Sequence, residues 1–265
     1  MGSYVHGYSA KESDRLADQA ATLTDLLHGD TAYAAGSRVL EAGCGIGAQT
    51  VPLCRSSPGA RIVALDISAL SIAAARRLAV RHRLTNVVFQ RGDLHRLPYR
   101  DGSFDHVFVC FVLEHLPDPL CVLGEMRRVL ASGGTLTVIE GDHGSYYCHP
   151  RSRYADSVVQ CLVDIQARSG GDALIGRRLY PLLTDAGFAT VAVSPRMVYV
   201  DGSRPHLVEG FTRRTFTAMV EGVRDQALAM GLIDDAAWRR GIADLYRTTD
   251  ADGTFCYTFF KAVAR

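Results

Sequence analysis

At 265 residues the chain can hold one large α/β domain or two small ones, and 48% hydrophobic with 22% charged residues is the composition of a soluble globular protein. A formal net charge of +1 supplies no field that would recruit nucleic acid or a membrane surface, and no apolar run reaches the length of a bilayer span. The polar N-terminus lacks a signal core. Seven scattered cysteines, never in C-x-x-C spacing, predict reduced thiols in a cytoplasmic protein with no metal site.

The first predicted element is a helix. Ser9 and Glu12 have capping-box spacing, and Leu16, Leu23 and Leu27 follow on one face. The loop "HGDTAYAAGS" then closes an N-terminal helical arm over residues 1–35. From Arg38 the pattern changes. "RVLEAG", "RIVALDIS", "NVVFQRGD", "FDHVFVCF" and "GTLTVIEGD" read as five apolar strands with helical stretches between them. One such stretch is "SALSIAAARRLAVRH"; another, "PLCVLGEMRRVLASGG", is expected to stop at Gly133 and Gly134. Strands alternating with helices predict βαβ units in a doubly wound, Rossmann-like parallel sheet, whose ligand lies at the carboxyl ends of the strands. Residues 36–265 are therefore read as one domain. "DALIGRRLYPLLTDAGF" adds a helix and "FATVAVSPRMVYVD" a strand. Two helices at about 205–248 interrupt the sheet pattern inside an insertion spanning 202–253, read as a helical lid over the site, and "TFCYTFFKAVAR" ends the chain as a strand. In the second inserted helix Trp238, Ile242 and Leu245 share a face.

The glycine turn "LEAGCGIGAQT" sits directly behind Glu41. Gly43, Gly45 and Ala48 satisfy a relaxed dinucleotide fingerprint, with Asp66 where a ribose-binding acid belongs, so an NAD-dependent oxidoreductase is one reading. Glu41 opposes it. A carboxylate about 5 Å from a pyrophosphate repels it by roughly 3 kcal/mol per charge pair at an effective dielectric of about 20. S-adenosylmethionine carries an ammonium and a sulfonium and no phosphate. Asp66, followed by Ile67, ends strand two and can accept the ribose hydroxyls. Asp93 ends strand three and can accept from the adenine amine, while Leu94 offers its backbone N–H. Three acids at three consecutive strand ends suit this ligand better than NAD.

"VLEAGCGIG", "ALDIS", "RGDLHRLPY", "FDHVFVCFVLEHLPDP" and "RVLASGGTLTVIE" resemble, in order, the motifs of the class I S-adenosylmethionine-dependent methyltransferases over about residues 36–142. The resemblance implies a seven-stranded sheet with an antiparallel last strand. It implies that Gly43, Gly45 and Gly47 line the methionine end of the cofactor, that Asp66 binds ribose, and that Asp93 and Leu94 bind adenine. Cys110 and Phe111 would lie under the cofactor, with Glu114 and the cofactor-side His115 on the same loop. Glu41 stands where many members carry Asp.

Methyl transfer to oxygen or nitrogen needs a base, and transfer to carbon needs one for the proton lost afterwards. The polar cluster "EGDHGSYYCHP" after strand five offers His143 as that base and Asp142 as its orienting partner, with Tyr146, Tyr147 and His149 shaping the substrate pocket. Tyr8, in the aromatic "YVHGYSAKE", is expected to cap the sulfonium through a cation–π contact. Phe211, Phe216, Met219, Val223 and Trp238 in the insertion read as core, and Arg213 and Arg214 as a solvated pair. The composition is that of a high-GC bacterium, where such enzymes tailor natural products. The reading is a methyltransferase of secondary metabolism acting on a small, fairly apolar molecule. It would methylate carbon in a prenyl or terpenoid group, or oxygen or nitrogen in an aromatic metabolite. A non-catalytic S-adenosylmethionine-binding protein is the third reading. Nucleic acid is not an expected partner; a homo-oligomer is allowed.

Overall fold

The computed structural model describes residues 22–265. The capping-box pair Ser9 and Glu12, and Leu16, lie outside the described residues. Of the first helix, residues 22–28 (α1) are described, and Leu23 and Leu27 are both buried.

The apolar runs form a single sheet. Its strands are β1 (Arg38–Ala42), β2 (Arg61–Asp66), β3 (Val87–Arg91), β4 (Phe104–Cys110), β5 (Leu130–Gly141), β6 (Tyr147–His149), β7 (Val191–Val200) and β8 (Thr254–Ala264). β3, β2, β1, β4 and β5 run parallel in that order, and β8 lies antiparallel beside β5. β7 pairs with β8 along its other edge. The antiparallel last strand is thus as expected, but the sheet has eight strands. β8 outruns β5, and the short β6 takes up its pairing from Cys256 to Thr254. Three residues in a polar, Tyr-rich stretch carry too little period-two signal to be read as a strand.

Side chains alternate across the sheet. Val39, Phe108 and Ile139 enter one core, and Leu40, Val107, Val109, Leu136 and Val138 the other. Both faces are covered, which is why the strands read as unbroken apolar runs. Against the second core lie α4 (Pro119–Val129) and α6 (Leu179–Asp185). Asp118 caps α4 by accepting from the Cys121 N–H at 3.0 Å. The expected run of α4 to Gly133 is corrected: the helix stops at Val129, because Leu130 already pairs with Phe104 in the sheet. Gly134 serves strand approach instead, since a Cβ there would lie 2.8 Å from the Asp105 carbonyl oxygen.

The first core is closed by α2 (Thr50–Ser56), by α5 (Arg153–Arg168) and by the helical insertion. α3 (Ala69–Arg81) packs at the β2–β3 end through Ile72, Ala75 and Ala79. α5 was not foreseen, although Ser152 caps it and Val158, Val159, Leu162 and Ile165 form its buried stripe. The insertion comprises α7 (Pro205–Leu207), a π-helix (Val208–Thr217), α8 (Ala218–Glu221), α9 (Arg224–Ala229) and α10 (Asp235–Arg247). Trp238, Ile242 and Leu245 are buried on one face of α10 as expected. Gly241 lets α10 cross α5 closely, for a Cβ there would lie 2.4 Å from the Tyr154 carbonyl oxygen.

Candidate active site

The glycine turn joins β1 to α2 at the carboxyl end of the sheet. The Gly43 and Cys44 N–H groups both donate to the Leu65 carbonyl. Gly43 has φ +78°, and a Cβ on it would lie 2.6 Å from Val112; Gly47 abuts Ala75 in the same way. These two glycines therefore seat the turn against its neighbours. Gly45 differs: a Cβ there would meet nothing within 4 Å, so its backbone faces open space. Asp66 fixes the turn from β2. Its carboxylate accepts from the Gly45 N–H and from the Ser68 N–H, both at 2.8 Å. Each oxygen keeps a second lone pair for a ribose hydroxyl.

Glu41 is 2% exposed, its Oε2 accepts no hydrogen bond, and the Thr50 hydroxyl is its polar neighbour. Burial raises its pKa to about 8, and the charge of Asp66 adds to the push. A neutral Glu41 repels a pyrophosphate less than its charged form would. Alone, Glu41 is largely neutral at pH 7, and a cation above the turn would draw it into its charged form. An orphaned buried carboxyl oxygen and an open glycine backbone fit a ligand with an ammonium and a sulfonium.

Asp93 stands exposed at the end of β3. Hydrogen bonds from the His95 backbone and ring hold its carboxyl below the usual range. Leu94 is half-buried, and Ile67 leaves an apolar surface 44% exposed beside Asp66. Cys110 is buried at the end of β4, and burial pushes its thiol far up, so it is packed and unreactive. Phe111 follows with φ +58°, a left-handed conformation unusual for a bulky residue and found where a site imposes it. Tyr8 lies outside the described residues.

The strain at Phe111 is held from β5. Its N–H donates to the Ile139 carbonyl, and Glu140 Oε1 accepts from Val112 N–H at 3.0 Å and Leu113 N–H at 2.7 Å. Burial, with the nearby charge of Glu114, pushes the Glu140 carboxyl well above its usual range. The clasped turn (Leu113–His115) presents Glu114 inward. Gln166 of α5 donates to the Glu114 backbone oxygen at 2.9 Å and to its Oε2 at 3.2 Å. His115 Nε2 lies 3.6 Å from Glu114 Oε1, and His143 Nε2 lies 3.7 Å from Glu114 Oε2. His143 is buried, and its Nδ1 is 2.8 Å from the Tyr257 hydroxyl.

The structure corrects the expected partners of His143. Asp142 does not orient it. The Asp142 carboxylate instead caps the Gly144 N–H and holds Arg177 through two bonds of 2.6 and 2.7 Å. Glu114 and Tyr257 face the imidazole. Tyr147 is 60% exposed on β6 with its hydroxyl toward Met197, and His149 is exposed at the end of that strand. Neither meets His143, because β6 carries the chain away along β8. Tyr146 does pack nearby: its ring lies tilted against Phe216 at 5.5 Å, and its hydroxyl donates to Asp156.

Phe211 and Phe216 both pack on Phe255 and Tyr257, at 6.0 and 5.8 Å and at 4.7 and 5.6 Å respectively. In an α-helix residues five apart diverge. The i→i+5 bonding of the π-helix brings them onto one face. With Tyr146, Phe259 and Phe111 they form an aromatic wall beside His143. The insertion is core, as its apolar stripe implied. Arg213 and Arg214 pair with Glu209 near the surface.

Residues 40–138 match a family model described as a methyltransferase domain. The chain is 34% identical over 134 residues to the 27-O-demethylrifamycin SV methyltransferase of Amycolatopsis mediterranei, covering 50% of this chain and 49% of that one. It is 39% identical over 106 residues to the demethylmenaquinone methyltransferase of Thermus thermophilus, covering 40% and 48%. The 4+2 cyclase SpnF superposes with a TM-score of 0.55 at 21% identity over 94% of this chain and 80% of that one, a likeness of fold. The chain spans about half the length of the curated relatives it matches. That region, residues 40–138, is a methyltransferase domain. The cofactor of that domain is S-adenosylmethionine, which replaces the NAD reading.

Proposed function

We propose that the protein transfers a methyl group from S-adenosylmethionine to carbon in a small, fairly apolar metabolite bearing a prenyl or terpenoid double bond. The observation that carries this reading is the pairing of an aromatic wall with one buried polar group of residues. Addition of a methyl group to an alkene through its π electron pair leaves a carbocation. Faces of Phe211, Phe216, Phe255, Tyr257 and Phe259 suit such a cation, and the His143–Glu114 pair supplies a proton acceptor at its edge.

S-adenosylmethionine, when bound, supplies the electrophilic methyl group. Glu41 would face its cationic end, Asp66 its ribose and Asp93 with Leu94 its adenine. The Phe111 turn, clasped by Glu140, sets the acceptor side against the glycine turn through Val112. The substrate's π electron pair would form the bond to the methyl group that the cofactor supplies; the adjacent C–H electron pair would then become the double bond, and the His143–Glu114 pair would take the proton. The aromatic wall excludes water from the cation.

A planar aromatic acceptor methylated on oxygen or nitrogen is the second reading, favoured by the same stacking faces. The cytoplasmic, natural-product-tailoring assignment belongs to this proposal as well. All seven cysteines are unpaired, and among the described residues no helix is long and apolar enough to cross a membrane. The test is a panel of prenyl alcohols, prenyl diphosphates and phenols, scored by S-adenosylhomocysteine release with mass spectrometry of the product. A methylated alkene from a prenyl substrate supports carbon transfer. Methylation of phenols alone would replace it with the second reading. Cofactor binding with no turnover on any acceptor would favour a non-catalytic protein.

A further inference from the structure

Resting on that reading, we propose that Glu114 is the group that finally takes the proton, and that Tyr257 and His143 are positioning residues that hold it for that task. Tyr257 is 1% exposed on β8, walled by Phe211, Phe216 and Phe259. Its hydroxyl is pressed against β5, where a Cβ on Gly141 would lie 2.4 Å from the oxygen. The Asp142 backbone N–H stands near that oxygen. The phenolic hydrogen must also find an acceptor, because a buried hydroxyl left unmated is destabilising. His143 Nδ1 stands 2.8 Å away. The O–H therefore donates to Nδ1, which places the ring proton of neutral His143 on Nε2.

This tautomer decides the chemistry. Nδ1 is occupied as an acceptor and Nε2 carries hydrogen, so His143 has no lone pair left for a substrate proton. Its Nε2–H instead points at Glu114 Oε2, 3.7 Å away, a distance that ligand binding can close to a hydrogen bond. Glu114 is gripped on its other sides by Gln166 and faced by His115. The neighbouring Glu140 is the carboxyl pushed toward its neutral form. Nearby, Glu140 Oε2 and Gln166 Oε1 are buried without partners, polar positions left over for a ligand. In the proposed step the substrate C–H bond breaks, its electron pair forms the double bond, and the proton ends on a Glu114 oxygen. Neither the glycine-turn motif nor the "EGDHGSYYCHP" cluster contains Tyr257, Glu114 or Gln166.

The test is nitrogen NMR of the full chain labelled with 15N-histidine and saturated with S-adenosylhomocysteine, His143 being assigned by the loss of its signals in His143→Gln. The expected spectrum shows His143 as the Nε2–H tautomer, and Tyr257→Phe shifts it toward a mixture while S-adenosylhomocysteine still binds. A proton on Nδ1 in the wild type, or an unchanged pattern in Tyr257→Phe, would overturn the proposal. Failure of S-adenosylhomocysteine to bind the wild type would strike the methyltransferase reading instead. With any accepted prenyl substrate, Glu114→Gln should lose about 100-fold or more in alkene product, whereas His143→Gln should retain more activity. The reverse order would make His143 the acceptor.

Discussion

The two halves of the site are built in opposite ways. The cofactor half, at the ends of β1, β2 and β3, consists of short contiguous motifs whose acids reach partners only a few residues or one strand away. Asp66 holds Ser68 and the neighbouring turn, and Asp93 holds His95. The acceptor half, at the ends of β4 and β5, is assembled from far-apart segments: Glu114 with Gln166, His143 with Tyr257, Tyr146 with Phe216. The first half is open and keeps its carboxylates within reach of water, Glu41 excepted. The second is dry, aromatic and crowded with buried polar groups. Local motifs suffice for a ligand common to many proteins, whereas the pocket that distinguishes one acceptor from another depends on tertiary packing.

The strongest test of that contrast is Glu114→Gln. Turnover should fall by about 100- to 10,000-fold while S-adenosylmethionine affinity, measured by calorimetry, stays within about threefold if the halves are independent. A parallel collapse of affinity would mean that they are not. Phe216→Ala should lower stability by about 3–5 kcal/mol, read from denaturant midpoints, because it empties the junction of insertion, β8 and His143. Glu41 gives a pH test in the cofactor half. Its folded pKa of about 8 lies above its unfolded value, so between roughly pH 4.5 and 8 the unfolded chain binds fewer protons. Stability should therefore fall as pH rises across that window, by on the order of a few kcal/mol, and level off above it. Glu41→Gln should flatten this slope, and saturating cofactor should reduce it. Asp66→Ala should weaken the cofactor by on the order of 30-fold, about 2 kcal/mol, without altering product identity; normal affinity would remove its ribose role. The smallest effects belong to Tyr147→Ala and His149→Ala, each within about 0.5 kcal/mol of the wild-type stability and with unchanged turnover, because both lie away from His143.

The sequence was most informative where one stretch carries the whole signal. β1 to β5, α3 and α4 have apolar runs or capped amphipathic faces, and the glycine turn announces itself. It was less informative where a boundary depends on a neighbour. α4 ends at Val129 because Leu130 finds Phe104, not because of the glycines that follow. α5 follows a polar loop, and its stripe of Val158, Val159, Leu162 and Ile165 is the local signal for it. Asp142 was matched to His143 by adjacency, yet next to a strand end adjacent residues point to opposite sides, and Arg177 claimed it.

By itself, the order of apolar runs, caps and glycines determined a doubly wound sheet, an antiparallel final strand and three acids at consecutive strand ends. Backbone period and local hydrogen bonding are properties of a few consecutive residues, and those can be read in line. Only the tertiary structure decided that Glu41 is buried and largely neutral, that a π-helix turns Phe211 and Phe216 onto one face, and that Tyr257 meets His143 across 114 positions of chain. Burial and proximity between distant segments arise from packing, and no local pattern encodes them.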